Sequence, residues 1–186
     1  MTDPLFLAAV ETVLLHEGHV SNDPRDPGGA TAWGVSLRFL AALPEAQRLE
    51  LADVDGDGDV DADDVVRLPR ERAVEIYRRC WWERYRYAEL GGVIVPTKVF
   101  DLAVNMGQRQ AALCLQRALR ACGGGAGVAE DGVMGPATIA AVRKANADRG
   151  MLAAIRAEAA GFYRALVAEK PARACFLKGW LNRAYH

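Results

Sequence analysis

Seven aspartates fall within twelve residues, Asp53-Val-Asp-Gly-Asp-Gly-Asp-Val-Asp-Ala-Asp-Asp64, with no lysine or arginine among them. Carboxylates at this density repel one another strongly unless an ion neutralises them. Their alternation aims successive side chains at one point, as a hard cation needing six to eight oxygens requires. Asp53, Asp55, Asp57, Asp61 and Asp64 take loop positions 1, 3, 5, 9 and 12, and Asp59 at position 7 would offer its backbone carbonyl. Gly58 stands where the loop must turn sharply, and Val60 is the apolar residue two places on. The segment is expected to hold a metal ion, Ca2+, in a structural role.

In motif terms this is a loop of EF-hand type, except that position 12 carries the shorter Asp64 in place of the bidentate Glu. An Asp there resembles the loops of dockerin modules, which come in pairs; only one is present here. A solvated acidic linker is the competing reading, since runs of like charge are usually disordered. The glycine register and the apolar Val60 favour the ordered loop.

At 186 residues the chain suits one domain, or one with a small lobe, and its 51% hydrophobic and 25% charged content is ordinary for a globular protein. No apolar run approaches the ~20 residues of a membrane span. The start, Met-Thr-Asp-Pro, shows no signal peptide. Net charge is −1, yet seven negative charges sit in the acidic loop, so the rest of the chain is six positive. A basic body of that kind suits an anionic polymer, cell envelope or nucleic acid. Cys80, Cys114, Cys122 and Cys175 lack metal-ligand spacing and are expected to be four buried thiols.

Helical periodicity dominates. Residues 4–16 read as a helix capped by Asp3 with Pro4 at its first position, ended by Gly18. Residues 19–34 are a loop rich in Asp, Pro and Gly. Ser36 opens a helix running to Leu43; others are expected over 70–85, 96–122, 136–147, 149–168 and in the tail from Phe176. Gly92-Val-Ile-Val is the only plausible β-run. The prediction is an all-α fold with an inserted calcium loop, residues 1–95 forming one region and 96–186 a second, packed as one unit.

The chemistry is carried by the segment after the first helix. Glu17 ends an apolar helix, half-desolvated and facing the negative end of the helix dipole, and both effects disfavour ionisation. A general acid needs that condition to keep a proton for a leaving oxygen. The loop returns a second carboxylate, Asp26, and a hydroxyl, Thr31; Gly28, Gly29 and Gly34 let the backbone pass close to a bulky substrate. On physics alone Glu17 is equally well a surface residue, Asp26 an Asx-turn cap and Thr31 a turn stabiliser. Asp101 and Asn105, at i and i+4, read as a buried polar network. Trp33, Trp82 and Tyr85 are candidate sugar-stacking residues, as is the Asn105 amide for substrate, although aromatics at helical spacing also build cores.

The run from Glu17 to Val35, E-G-x-x-x-x-D-P-x-D-P-G-G-A-T-x-x-G-V, resembles the opening signature of glycoside hydrolase family 108, the phage-type N-acetylmuramidases. The segments Phe100-Asp101-Leu-Ala-Val-Asn105-Met-Gly107, Leu115-Gln116, Asp131-Gly132-Val-Met-Gly135-Pro-Ala-Thr138, Phe162-Tyr163 and Lys178-Gly179-Trp180-Leu-Asn182-Arg183 resemble the accompanying peptidoglycan-binding region. The resemblance implies a lysozyme-like helical fold and hydrolysis of the β-1,4 bond between N-acetylmuramic acid and N-acetylglucosamine, with Glu17 as acid. Asp26 would be base or nucleophile and Thr31 would hold water. The family usually has a second glycine and an aromatic where His19-Val20 stand. Bacterial peptidoglycan, and no nucleic acid, is then the expected partner of a monomer acting at the cell wall after holin- or export-mediated release. The rival readings are a non-catalytic peptidoglycan-binding or secretion-assisting protein on the same fold, and a calcium-dependent interaction module.

Overall fold

The computed structural model describes residues 3–17, 20–21, 30–145 and 149–186, and side chains within these except those of residues 20, 21 and 149. The chain is mostly helical, as its periodicity predicts, and its contacts divide it into two compact units. One is formed by residues 10–81, the other by residues 1–9 together with 82–186. The boundary expected at 95/96 therefore falls inside the second unit. Packing explains the difference: Phe6, near the start of the first helix, lies 5.7 Å from Trp82 and 6.5 Å from Phe100 between ring centroids. The N-terminal residues thus belong to the C-terminal core.

In the first unit, helix α1 (Pro4–Glu17) leads to three two-residue strands, β1 (Val20–Ser21), β2 (Thr31–Ala32) and β3 (Val35–Ser36), paired antiparallel in sequence order. These strands lie partly in the stretch expected to be loop. Ser36 caps α2 (Leu37–Ala41) as predicted, its hydroxyl accepting from the Phe39 amide at 3.2 Å. The expected continuation to Leu43 stops short because Pro44 begins a new helix, α3 (Glu45–Ala52). The acidic loop follows, then α4 (Ala62–Arg67) and α5 (Arg70–Tyr77). The helix expected over 70–85 instead widens to a π-turn at Arg78–Glu83, placing Trp81 in stacking contact with Phe39, 4.3 Å between centroids.

The second unit holds α6 (Ile94–Met106), α7 (Gln108–Ala121), α8 (Pro136–Lys144), α9 (Arg149–Glu169) and α10 (Ala174–Tyr185). Residues 92–95 are not a strand: Gly91 and Gly92 turn the chain at positive φ and Ile94 starts α6, with Pro96 tolerated in its first turn. Nor is 96–122 continuous, because Gly107 (φ 87°) breaks it in two. Phe6, Trp82, Tyr87 and Phe100 form the aromatic core, and α7 packs on α6 and α9. Asp101 is buried between Arg183 (2.9 Å) and Lys98 (3.5 Å), the polar network expected of it. Cys80 and Cys114 are buried, the latter's thiol pushed up to about 11 by desolvation, but Cys122 and Cys175 are exposed, against expectation. Both of these sit at helix ends, where the amphipathic stripe no longer dictates burial.

Candidate active site

Glu17 is the last residue of α1 and is partly buried. The sheet that follows brings a tight hairpin back onto it. β2 and β3 pair Ala32 with Val35, leaving Trp33 and Gly34 as the two loop residues. Both stand at positive φ, 54° and 79°, as a type I′ turn demands. Gly34 is fitted to that role twice over. A Cβ there would lie 2.5 Å from Glu17 Cγ, 2.7 Å from Glu17 Cβ and 2.5 Å from the Tyr77 hydroxyl, so the bare backbone packs directly against the carboxylate's stem.

Trp33 has no such freedom, and a non-glycine residue in this region costs roughly 1–2 kcal/mol. Two hydrogen bonds hold it there: its indole Nε1 donates to the Leu68 carbonyl at 3.0 Å, and the Tyr77 hydroxyl donates to the Trp33 carbonyl at 2.9 Å. Strain over-determined by its surroundings is characteristic of functional sites. Nothing in the sequence alone assigns Tyr77 to this site. Thr31 begins β2, opposite Ser21 and Ser36. Asp26 and His19 lie outside the described residues.

The candidate substrate residues separate. Trp33, partly exposed, belongs to the Glu17 hairpin. Trp82 is a correction: at 3% exposure it is core, ringed by Phe6, Tyr87 and Phe100, with its indole N–H donating to Asp3 at 3.0 Å. The π-turn rotates it inward and leaves no face for a sugar. Tyr85, partly exposed, lies in the same unit, with the Arg84 guanidinium 5.6 Å from its ring centroid. Asn105 is exposed at the end of α6 and accepts from the buried Tyr163 hydroxyl at 2.7 Å.

The acidic loop forms two groups whose carboxylate oxygens lie within 4.8 Å of one another, Asp53 with Asp55 and Asp57, and Asp59 with Asp61 and Asp64. All donors are carboxylate oxygens, a hard set that fits a hard cation. Asp59 joins through its side chain, not only its carbonyl. Asp64 is buried and accepts from the amides of Val54 (2.7 Å), Asp61 (3.0 Å) and Asp55 (3.4 Å). Burial raises its carboxyl, but these amides and Arg67 outweigh it, and the result lies below the usual carboxylate range. Asp55 and Asp59 lie above that range: desolvation leads for Asp55, the neighbouring Asp57 charge for Asp59. Gly56 and Gly58 take positive φ, and their amides close the loop onto Asp53.

The family-like residues Asp131, Gly132, Val133 and Thr138 of the second unit gather on Gln116, a buried residue of α7. Its amide donates towards Asp131 (2.8 Å), the Val133 carbonyl (3.1 Å) and Thr138 (3.2 Å), and its carbonyl accepts from the Gly132 amide (3.0 Å). These residues therefore build a scaffold.

Comparison with known proteins finds two families along the chain. Residues 10–107 match the family model described as glycosyl hydrolase 108, and residues 110–185 the one described as a predicted peptidoglycan domain. No curated protein matches the chain. Among solved structures, that of Brucella abortus SagA is similar at 28% identity with a TM-score of 0.67, over 96% of this chain and 88% of that one.

Proposed function

This chain belongs to the glycosyl hydrolase 108 family, and from that premise we propose that it is an N-acetylmuramidase cleaving the β-1,4 bond between N-acetylmuramic acid and N-acetylglucosamine, with Glu17 as general acid. The peptidoglycan domain at residues 110–185 supports peptidoglycan as the substrate, and no helix among the described residues is long and apolar enough to cross a membrane. The observation that supports the residue assignment is the strained hairpin: the bare backbone of Gly34 packs against the Glu17 side chain, and the Tyr77 hydroxyl closes in on the same glycine.

In this reading Glu17 gives its proton to the glycosidic oxygen as the C–O bond breaks and the sugar develops oxocarbenium character. Asp26 then acts from the opposite side, activating water in an inverting reaction or attacking the sugar in a retaining one. Thr31, its backbone fixed in β2, holds the water. Packing against Gly34 limits the rotamers of Glu17 and so keeps its carboxyl in a reactive orientation.

The two acidic triads would hold Ca2+ through Asp53, Asp55, Asp57, Asp59, Asp61 and Asp64. The ion takes no part in the hydrolysis. It neutralises the loop and fixes the connection between α3 and α4.

Reducing-sugar release from purified peptidoglycan by the wild type and Glu17→Gln tests the assignment. Release abolished in a folded Glu17→Gln supports it. Undiminished release by that variant removes Glu17 from the role, and none by a folded wild type makes the protein a peptidoglycan binder only.

A further inference from the structure

The end of the chain presents an aromatic column whose outer ring is open to solvent. Phe176 stacks on Trp180 (5.6 Å between centroids, 30° between planes), and Trp180 stacks on Tyr163 (5.3 Å, 19°). The column runs from the interior outwards. Tyr163 is 1% exposed and anchors it, Trp180 is partly covered, and Phe176 at the outer end is 58% exposed. Phe176 and Trp180 are one helical turn apart on α10, so a three-ring stack holds an open phenyl face rigidly towards solvent. Leaving a large ring so exposed forgoes its burial energy, which core packing alone does not explain.

Two polar features accompany the column. At its inner end the Tyr163 hydroxyl occupies Asn105 Oδ1 (2.7 Å), orienting an exposed amide whose N–H groups are donors for a carbonyl such as an acetamido group's. Arg173 ends the short turn before α10, three residues ahead of Phe176 in sequence. Its pairing with Glu169 is loose, 3.7 Å between exposed side chains, and such a pair yields readily to another carboxylate. Residues 170–186 contain four Lys or Arg and no Asp or Glu.

We propose that the Phe176–Trp180 column, with Arg173 three residues ahead of it and the Asn105 amide bonded to its Tyr163 anchor, is a docking site for an N-acetylated glycan strand bearing carboxylate-containing peptide stems. The apolar face of a pyranose ring stacks on Phe176, and the arginine meets a stem carboxylate. The proposal rests on peptidoglycan being the substrate and identifies the part of the domain that grips it. The site is separate in sequence from Glu17, so binding and bond cleavage are separately measurable.

The test is co-sedimentation of the full-length Glu17→Gln protein with purified sacculi, alone and combined with Phe176→Ala, Phe176→Tyr or Arg173→Glu. Phe176→Ala should weaken binding about tenfold, as loss of an aromatic anchor does. Phe176→Tyr should restore it, Arg173→Glu should weaken it, and added salt should weaken the parent more than Arg173→Glu. Unchanged melting temperatures confirm that the variants are folded. Binding unaffected by Phe176→Ala overturns the proposal, as does equal Phe176-dependent binding to phosphatidylglycerol vesicles, or a dimer in sedimentation analysis that Phe176→Ala abolishes. Phe176-dependent binding to sacculi by a protein whose wild type releases no sugar upholds the docking site and defeats the hydrolase assignment. Sugar release by a wild type whose binding ignores Phe176 does the reverse.

Discussion

Replacing Gly34 by alanine puts the architecture around Glu17 to its severest test. Two costs arise from the structure. At φ 79° an alanine pays about 1–2 kcal/mol for left-handed backbone. Its methyl would also lie 2.5 Å from both Glu17 Cγ and the Tyr77 hydroxyl, and overpacking of this kind costs about 1–3 kcal/mol. Together these amount to about 2–5 kcal/mol, or roughly 4–20 °C in melting temperature for a chain of this size. If Glu17 swings aside to relieve the overlap, the melting temperature recovers but the carboxyl moves, and a displacement near 1 Å costs about a hundredfold in turnover. Calorimetry and sugar release measured together therefore see the perturbation one way or the other. Gly123→Ala is the control: φ is 76°, but nothing lies within 4 Å of its Cβ, so only the backbone cost applies and activity is retained. A Gly34→Ala protein with wild-type melting and wild-type turnover would refute the account of the hairpin. Combining it with Tyr77→Phe, which removes one of the two clashing groups, should be less than additive.

Tyr77→Phe alone removes the hydrogen bond to the Trp33 carbonyl and should cost about 1 kcal/mol by urea denaturation, with lower sugar release. Gln116→Leu strands the partners at Asp131, Gly132 and Thr138 and should cost about 2–4 kcal/mol; a shift in the urea midpoint worth under 0.5 kcal/mol would deny Gln116 its scaffold role. The hydrogen bond from Gln116, then that from the Val133 amide, holds the Asp131 carboxyl below its usual value of about 3.9. A group depressed in the folded state stabilises above its unfolded value and loses that contribution as pH falls through the folded one. Asp131→Asn should therefore be less stable than wild type at pH 7, with the gap closing below about pH 4; a gap independent of pH contradicts the linkage. Excess chelator should lower the melting temperature of the wild type and leave that of an Asp53→Asn/Asp55→Asn/Asp61→Asn variant unchanged, and an unmoved wild-type curve removes the metal from the argument.

The helices were legible where the signal is local. Asp3 and Pro4 mark the start of α1, and Ser36 caps α2 through its own hydroxyl. Breaks were harder, because one residue decides them against a strong pattern. Residues 96–122 keep a helical apolar stripe throughout, yet Gly107 at φ 87° divides them, and glycine inside a helical pattern is usually tolerated. Trp82 shows the same limit for side chains. As a candidate sugar-stacking residue it was expected on an open helix flank, but one π-turn adds a residue and turns it into the core. The place of residues 1–9 in the second unit was illegible because Phe6 reaches Trp82 across 76 positions, and nothing local announces such a contact.

At the proposed site, the position of Glu17 at a helix end was legible, as were Thr31 and Gly34 in their motif, but the local structure behind that motif was not. Ala-Thr-x-x-Gly reads as loop, since two-residue strands are too short for alternation to register. In the fold the same letters are a hairpin: Thr31 and Ala32 pair with Ser36 and Val35, and the glycine is forced by φ and by Glu17 at once. Trp33 makes the stronger point. Asn or Gly would occupy its position in a type I′ turn without strain, and the chain instead uses a bulky residue tied down by Leu68 and Tyr77. The strain there is offset by those two ties, next to the glycine that packs on Glu17. A hairpin that merely connected two strands would have no need of such strain, so Trp33→Gly should relieve about 1–2 kcal/mol of it, offset by the lost indole hydrogen bond and packing, while loosening Glu17 and lowering turnover; a Trp33→Gly protein with full turnover would mean that the tie serves packing alone.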